Sequence, residues 1–183
     1  MSALETVREG LPDAVRDIKL NLQAVMQAAS LSHAQRYGVA IATAAAARDQ
    51  VLTDALVADA RSVVEPGVIE DALAAASLMA MTNVYYRFRH LVGKARYAEM
   101  PARLRMNRLA HPAADKLDFE LCALAVSAVN GCETCVQAHE RVLVAGGLTE
   151  EQIHDAVRLA AVVHATACAR LVSVPQLAGE AAA

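Results

Sequence analysis

A chain of 183 residues can bury a core without disulfide or metal staples, and a formal net charge of -3 leaves no surface basic enough for nucleic-acid binding. Apolar residues make up 56% and aromatics 3%, with no Trp, which suits closely packed Ala, Leu and Val helices and disfavours strands. No run of about 18 apolar residues is free of charge, and Met1-Ser2-Ala3-Leu4-Glu5 has neither the basic nor the apolar region of a secretory leader. The expectation is therefore an all-α cytoplasmic protein without a membrane span.

Helical periodicity predicts helices at 13–29, 32–47, 49–63, 68–90, 95–106, 116–129, 132–145 and 150–173. Ser32-x-x-Gln35 and Thr149-x-x-Gln152 have capping-box spacing, so each is expected to open a helix. Pro66-Gly67 and Gly146-Gly147 are read as stops for the helices before them. The locally basic stretch from Arg87 to Arg108 reads as a solvated face or subunit contact.

Shifting the sequence by 84 residues lays Ile69-Glu70-Asp71-Ala72 on Ile153-His154-Asp155-Ala156, Thr82 on Thr166 and Thr43-Ala44 on Ser127-Ala128. A single domain over 1–183 is expected, with a degenerate repeat at about 32–90 and an active one at about 116–174. In that register the first copy has Arg48 and Val51 where the second has Cys132 and Cys135. The chemistry is then confined to the second copy.

Four cysteines in a reducing cytoplasm do not form a disulfide framework, so a CxxC points to redox chemistry or half of a zinc site. Zinc needs two further Cys or His ligands at suitable spacing, and Cys122, Cys168 and His164 sit singly on apolar helical faces. Cys122 and Cys168 are expected in the core. His33, His90, His111 and His154 are expected in turns or on the surface.

Asn130-Gly131 breaks two helical patterns and puts Cys132 in the first turn of the second helix. There, unpaired N–H groups and the helix dipole favour a thiolate. At about 100° per residue, Cys132, Cys135 and His139 fall within roughly 60° on one helix face. His139 is four residues from Cys135, so proximity favours Cys135 as its partner whereas the dipole favours Cys132 as the more acidic thiol. If the helices flanking Gly131 run antiparallel, Glu120 lies about 16 Å back from the turn and His139 about 12 Å beyond it, at similar heights. A carboxylate there can orient the imidazole, the logic of a Cys–His–Glu relay.

Glu120 followed twelve positions later by Cys132 in Ser-Ala-Val-Asn-Gly-Cys-Glu-Thr-Cys-Val-Gln-Ala-His-Glu resembles the signature of the alkyl hydroperoxidase D family, within the carboxymuconolactone-decarboxylase-like group. Asn83-Val84-Tyr85-Tyr86-Arg87-Phe88-Arg89-His90 and Leu117-Asp118-Phe119-Glu120 also look like family segments. The resemblance implies an all-helical fold with an internal repeat, a homotrimer, and lipoyl-dependent peroxidase activity on organic hydroperoxides. It makes Cys135 the peroxide-attacking thiol, His139 its base and Glu120 the carboxylate behind the base. Cys132 would resolve the sulfenic acid as a Cys132–Cys135 disulfide and exchange disulfides with partners.

Dihydrolipoamide on a lipoylated 2-oxo-acid dehydrogenase component is the implied electron donor, a peroxiredoxin the implied protein partner, and no bound cofactor or metal is implied. Some members carry His between the cysteines where this chain has Thr134, which can hydrogen-bond but cannot titrate near neutral pH. The competing expectations are a dithiol adaptor that regenerates a peroxiredoxin, and a non-catalytic zinc-stabilised helical module.

Overall fold

A computed structural model describes residues 1–172, so Ser173 at the end of the last expected helix, and the tails of the expected repeat and domain, lie outside the described residues. Among the described residues there is no strand, and ten α-helices follow one another: α1 (Ala3–Glu9), α2 (Arg16–Val25), α3 (His33–Ala46), α4 (Gln50–Ala60), α5 (Pro66–Val92), α6 (Ala95–Glu99), α7 (Asn107–Ala110), α8 (Lys116–Val129), α9 (Glu133–Ala145) and α10 (Glu150–Arg170). The fold is all-α. No helix among these residues is long and apolar enough to cross a membrane.

Both expected capping boxes are present, with Ser32 accepting from the Gln35 N–H and Thr149 from the Gln152 N–H. Four local expectations change. Helix α1, absent from the periodicity reading, is two turns long and is held by its Ser2 cap and by Asp59, which accepts from the Ala3 and Leu4 N–H groups at 2.8 and 3.0 Å. The expected 13–29 helix starts as a 3-10 turn, Asp13–Val15, and becomes α2 only at Arg16. The expected 95–106 helix stops at Glu99, because Pro101 drives Met100 to an extended conformation (ψ 131°). Pro66-Gly67 does not close α4 but opens α5, with the proline in the first turn, where its missing N–H costs no helical bond.

Helices α3 and α8 form the middle of the core, with Val39 to Ala42 and Leu121 to Val126 buried. They meet closely: a Cβ on Gly38 would lie 3.1 Å from Cys122 Sγ. The small side chains expected from the Ala-rich composition are what permit that approach. Helices α5 and α10 each pack against both α3 and α8.

Helix α8 starts 83 residues after α3, α9 starts 83 after α4, and α10 starts 84 after α5. The extra residue arises between the start of α9 and the start of α10, α9 being longer than α4, so a uniform shift of 84 misaligns the first two helices by one position. The backbone gives the corrected register. Arg48 and Gly131 both have left-handed φ, 62° and 65°, and the next N–H bonds back in the same way, Asp49 to the Ala44 carbonyl and Cys132 to the Ser127 carbonyl. Asp49 rather than Arg48 is therefore opposite Cys132, and Leu52 rather than Val51 opposite Cys135.

Two buried carboxylates 84 residues apart tie the chain leading into the central helices. Asp71 accepts from the Ala113 and Ala114 N–H groups at 2.9 and 2.7 Å and from Arg108 Nε at 2.8 Å. Asp155 accepts from the Ser30 hydroxyl and pairs with Arg158. Asp71→Ala removes the acceptor these three donors share, and urea unfolding should show a loss of about 2–3 kcal/mol. A loss below about 0.5 kcal/mol would count against this anchoring role.

Candidate active site

The α8–α9 hairpin carries the candidate residues Glu120, Cys132, Cys135 and His139. Asn130 ends α8, Gly131 adopts φ 65°, and Cys132 is the N-cap of α9, one position before the first helical residue. A Cβ on Gly131 would meet nothing within 4 Å, so the glycine is needed for its backbone conformation rather than for space. The carbonyl of Cys132 accepts from the Cys135 and Val136 N–H groups at 3.1 and 2.9 Å, which closes the first turn.

A polar network behind this turn fixes it, and sequence reading did not bring these residues together. Asn83 on α5 donates through Nδ2 to Ser127 Oγ at 2.9 Å and accepts from Asn130 Nδ2, also at 2.9 Å. Arg87, one turn further along α5, donates to the Asn130 carbonyl. Asn83 is buried in a helix of small apolar residues. A lone Asn at such a position was the available signal, because a buried amide requires partners.

Cys132 and Cys135 are joined as a disulfide, with their Cα atoms 5.3 Å apart. Thr134 Oγ1 lies 3.7 Å from Cys132 Sγ. Glu120 and His139 meet across the hairpin, Glu120 Oε2 lying 2.6 Å from His139 Nδ1 with side-chain exposures of 6% and 12%. Glu120 is thus a buried, paired carboxylate. With the carboxylate as acceptor, Nδ1 carries the proton and Nε2 keeps the lone pair, which makes the imidazole a base on the side away from Glu120.

An apolar pocket of about 270 Å³ opens on this constellation, with Cys135, Thr134 and His139 at one end. Its other walls are Met79, Thr82 and Tyr86 of α5 and Met106 and Leu109 of the connector between α6 and α8. Cys132 is 0% exposed and Cys135 7%. In the disulfide form it is therefore Cys135, not the Cys132 expected from the resemblance, that a reactant entering the pocket meets.

The degenerate half has no such arrangement. Asp49, at the position matching Cys132, caps α4 and pairs with Arg170 Nε at 2.6 Å.

A model of the carboxymuconolactone decarboxylase family matches residues 95–174. The alkyl hydroperoxide reductase AhpD of Anaeromyxobacter dehalogenans strain 2CP-C is 68% identical over 183 residues, covering 100% of this chain and 96% of its own length. The chain belongs to the AhpD family. More distant AhpD relatives have the same span: the proteins of Gluconacetobacter diazotrophicus and Rhodopseudomonas palustris strain BisB18 are 50% and 46% identical over 165 residues, each alignment covering 90% of this chain and 91% of the relative.

The remaining cysteines of this AhpD-family chain differ from each other. Cys122 is buried at the α3–α8 crossing, where burial pushes its thiol pKa far up. Cys168 is exposed, contrary to the core position expected for it, because it points outward from α10 between the inward-facing Ala167 and Ala169. Among the described residues no group of three or more His, Cys, Asp or Glu side chains has a metal-binding arrangement. In the folded disulfide form, Ellman titration should label Cys168 alone, with Cys122 reacting only in denaturant. Rapid labelling of both thiols in native buffer would contradict the burial of Cys122.

Proposed function

We propose that this AhpD-family protein is an alkyl hydroperoxide reductase acting through Glu120, Cys132, Cys135 and His139, with dihydrolipoamide as electron donor. The observation that carries this reading is the pairing of a buried Glu120–His139 contact with a Cys132–Cys135 disulfide of which Cys135 lines an apolar pocket. The name borne by the relatives, alkyl hydroperoxide reductase, supports the substrate class.

In the reduced enzyme His139 Nε2 takes the Cys135 thiol proton, and Glu120 stabilises the imidazolium that results. The Cys135 thiolate attacks the terminal peroxide oxygen and the O–O bond breaks. The departing alkoxide takes the proton from His139, which leaves an alcohol and Cys135 sulfenic acid. Cys132 then attacks the Cys135 sulfur, expelling water and closing the disulfide.

Reduction reverses the polarity at the same sulfur. One thiolate of the donor attacks Cys135, and Cys132 leaves as a thiolate at the N-cap of α9, where the helix dipole favours the negative charge. The donor's second thiol then attacks its own bridging sulfur, releasing Cys135 and a cyclic disulfide. The sum is hydroperoxide plus dithiol giving alcohol, water and disulfide. The carrier of the donor is a lipoylated 2-oxo-acid dehydrogenase component, and the reduced CxxC also regenerates a peroxiredoxin. The working form is a cytoplasmic homotrimer without bound cofactor. Thr134 offers a hydroxyl beside Cys132 but no titrating group, so proton transfer rests on His139 alone.

Peroxide consumption by purified protein with dihydrolipoamide tests the reading. Cys135→Ser and His139→Phe should each lower turnover at least about 100-fold, and Glu120→Gln should do so by about 10-fold or more. Full turnover by Cys135→Ser would discard the mechanism.

A further inference from the structure

The pocket walls and the catalytic residues come from different parts of the chain. Cys135 and His139 belong to the α8–α9 hairpin, whereas Met106 and Leu109 lie on the connector between α6 and α8. That connector has no counterpart of comparable length before α3, since only seven residues separate α2 from α3. It is held against α5 by the contacts of buried Asp71 with Arg108 and with the Ala113 and Ala114 N–H groups. Arg108 adjoins Leu109, so the ion pair fixes the outer wall of the pocket at a set distance from the sulfur.

Every side chain on that outer wall and on the facing α5 wall is apolar or weakly polar. Met79 is buried, the Thr82 hydroxyl is used up by the Leu78 carbonyl at 2.9 Å, and no Lys or Arg lines the cavity.

We propose that the connector residues Met106 and Leu109, with Tyr86 opposite them, set the substrate range. They select hydroperoxides with a compact, uncharged tail over hydrogen peroxide and over long-chain fatty acid hydroperoxides. This rests on the peroxidase reading above and adds to it the residues that read the tail. A tail filling the cavity displaces water from apolar walls and brings the peroxide oxygens to the end where Cys135 and His139 lie. Hydrogen peroxide gains nothing from those walls. A fatty acid hydroperoxide brings a carboxylate for which no Lys or Arg lines the cavity.

Steady-state rates with dihydrolipoamide are to be measured for cumene hydroperoxide, linoleic acid hydroperoxide and hydrogen peroxide, in the unmodified protein and in Met106→Ala and Leu109→Ala made separately. Unmodified protein should have its highest kcat/KM with cumene hydroperoxide. In each variant the ratio of kcat/KM for cumene hydroperoxide to that for hydrogen peroxide should fall about tenfold, through KM rather than kcat. Unmodified protein that turns over all three without this preference, or variants whose ratio stays within twofold of the parent, would overturn the inference alone. Protein that turns over none of the three would remove the peroxidase reading and this inference together.

Discussion

The contact between Glu120 and His139 is the constraint around which the rest of the site is arranged. A carboxylate enclosed in an Ala and Leu core is expensive unless a partner accepts its charge or its hydrogen bond. Here the partner sits on the next helix, so α8 and α9 must run back along each other with one relative height. That fixes the length of the turn between them, and the Asn130-Gly131 turn in turn sets where Cys132 and Cys135 begin. Asn83 and Arg87 hold this turn from α5. Displacing any of these elements would separate the imidazole from the carboxylate that orients it.

The matching helices of the two halves show what separates a scaffold from a site. Each half keeps a left-handed residue before its second helix, at Arg48 and Gly131, and a buried aspartate on its third, at Asp71 and Asp155. These are backbone and anchoring requirements of the fold. The side chains that differ are those of the proposed site. Asp49 caps a helix and pairs with Arg170 where Cys132 opens the redox turn, and the positions matching Cys135 and His139 are filled by the buried Leu52 and Leu56.

The catalytic hairpin was legible in the sequence because everything that builds it is local. A turn signal, helix periodicity and a rise of about 1.5 Å per residue bring Glu120 to the level of His139 without knowledge of any other element. The bounds expected for α8, 116–129, are those observed. The pocket was not legible, since Met79, Tyr86, Met106 and Leu109 converge only through tertiary packing and carry no spacing signal of their own. The basic stretch from Arg87 to Arg108, expected as a solvated face or subunit contact, is largely exposed. Two of its arginines nonetheless have partners far away in sequence: Arg87 at the Asn130 carbonyl and Arg108 at Asp71. Charge counts along a chain do not reveal buried partners far away in sequence. The offset between the two sets of helices failed by one residue because α9 is longer than α4, a change in helix length that periodicity alone does not register.

The complete enclosure of Cys132 bears on the order of events in catalysis. On the proposed mechanism, with Cys132 buried and Cys135 lining the pocket, oxidant and reductant share one entrance and one target atom. A tail occupying the cavity would keep the dithiol out, and a mixed disulfide at Cys135 would keep the next peroxide out. The two proposed half-reactions would then alternate, each waiting for the other's product to leave, in a ping-pong form with no ternary complex. At high concentration either reactant would become an inhibitor of the other's step.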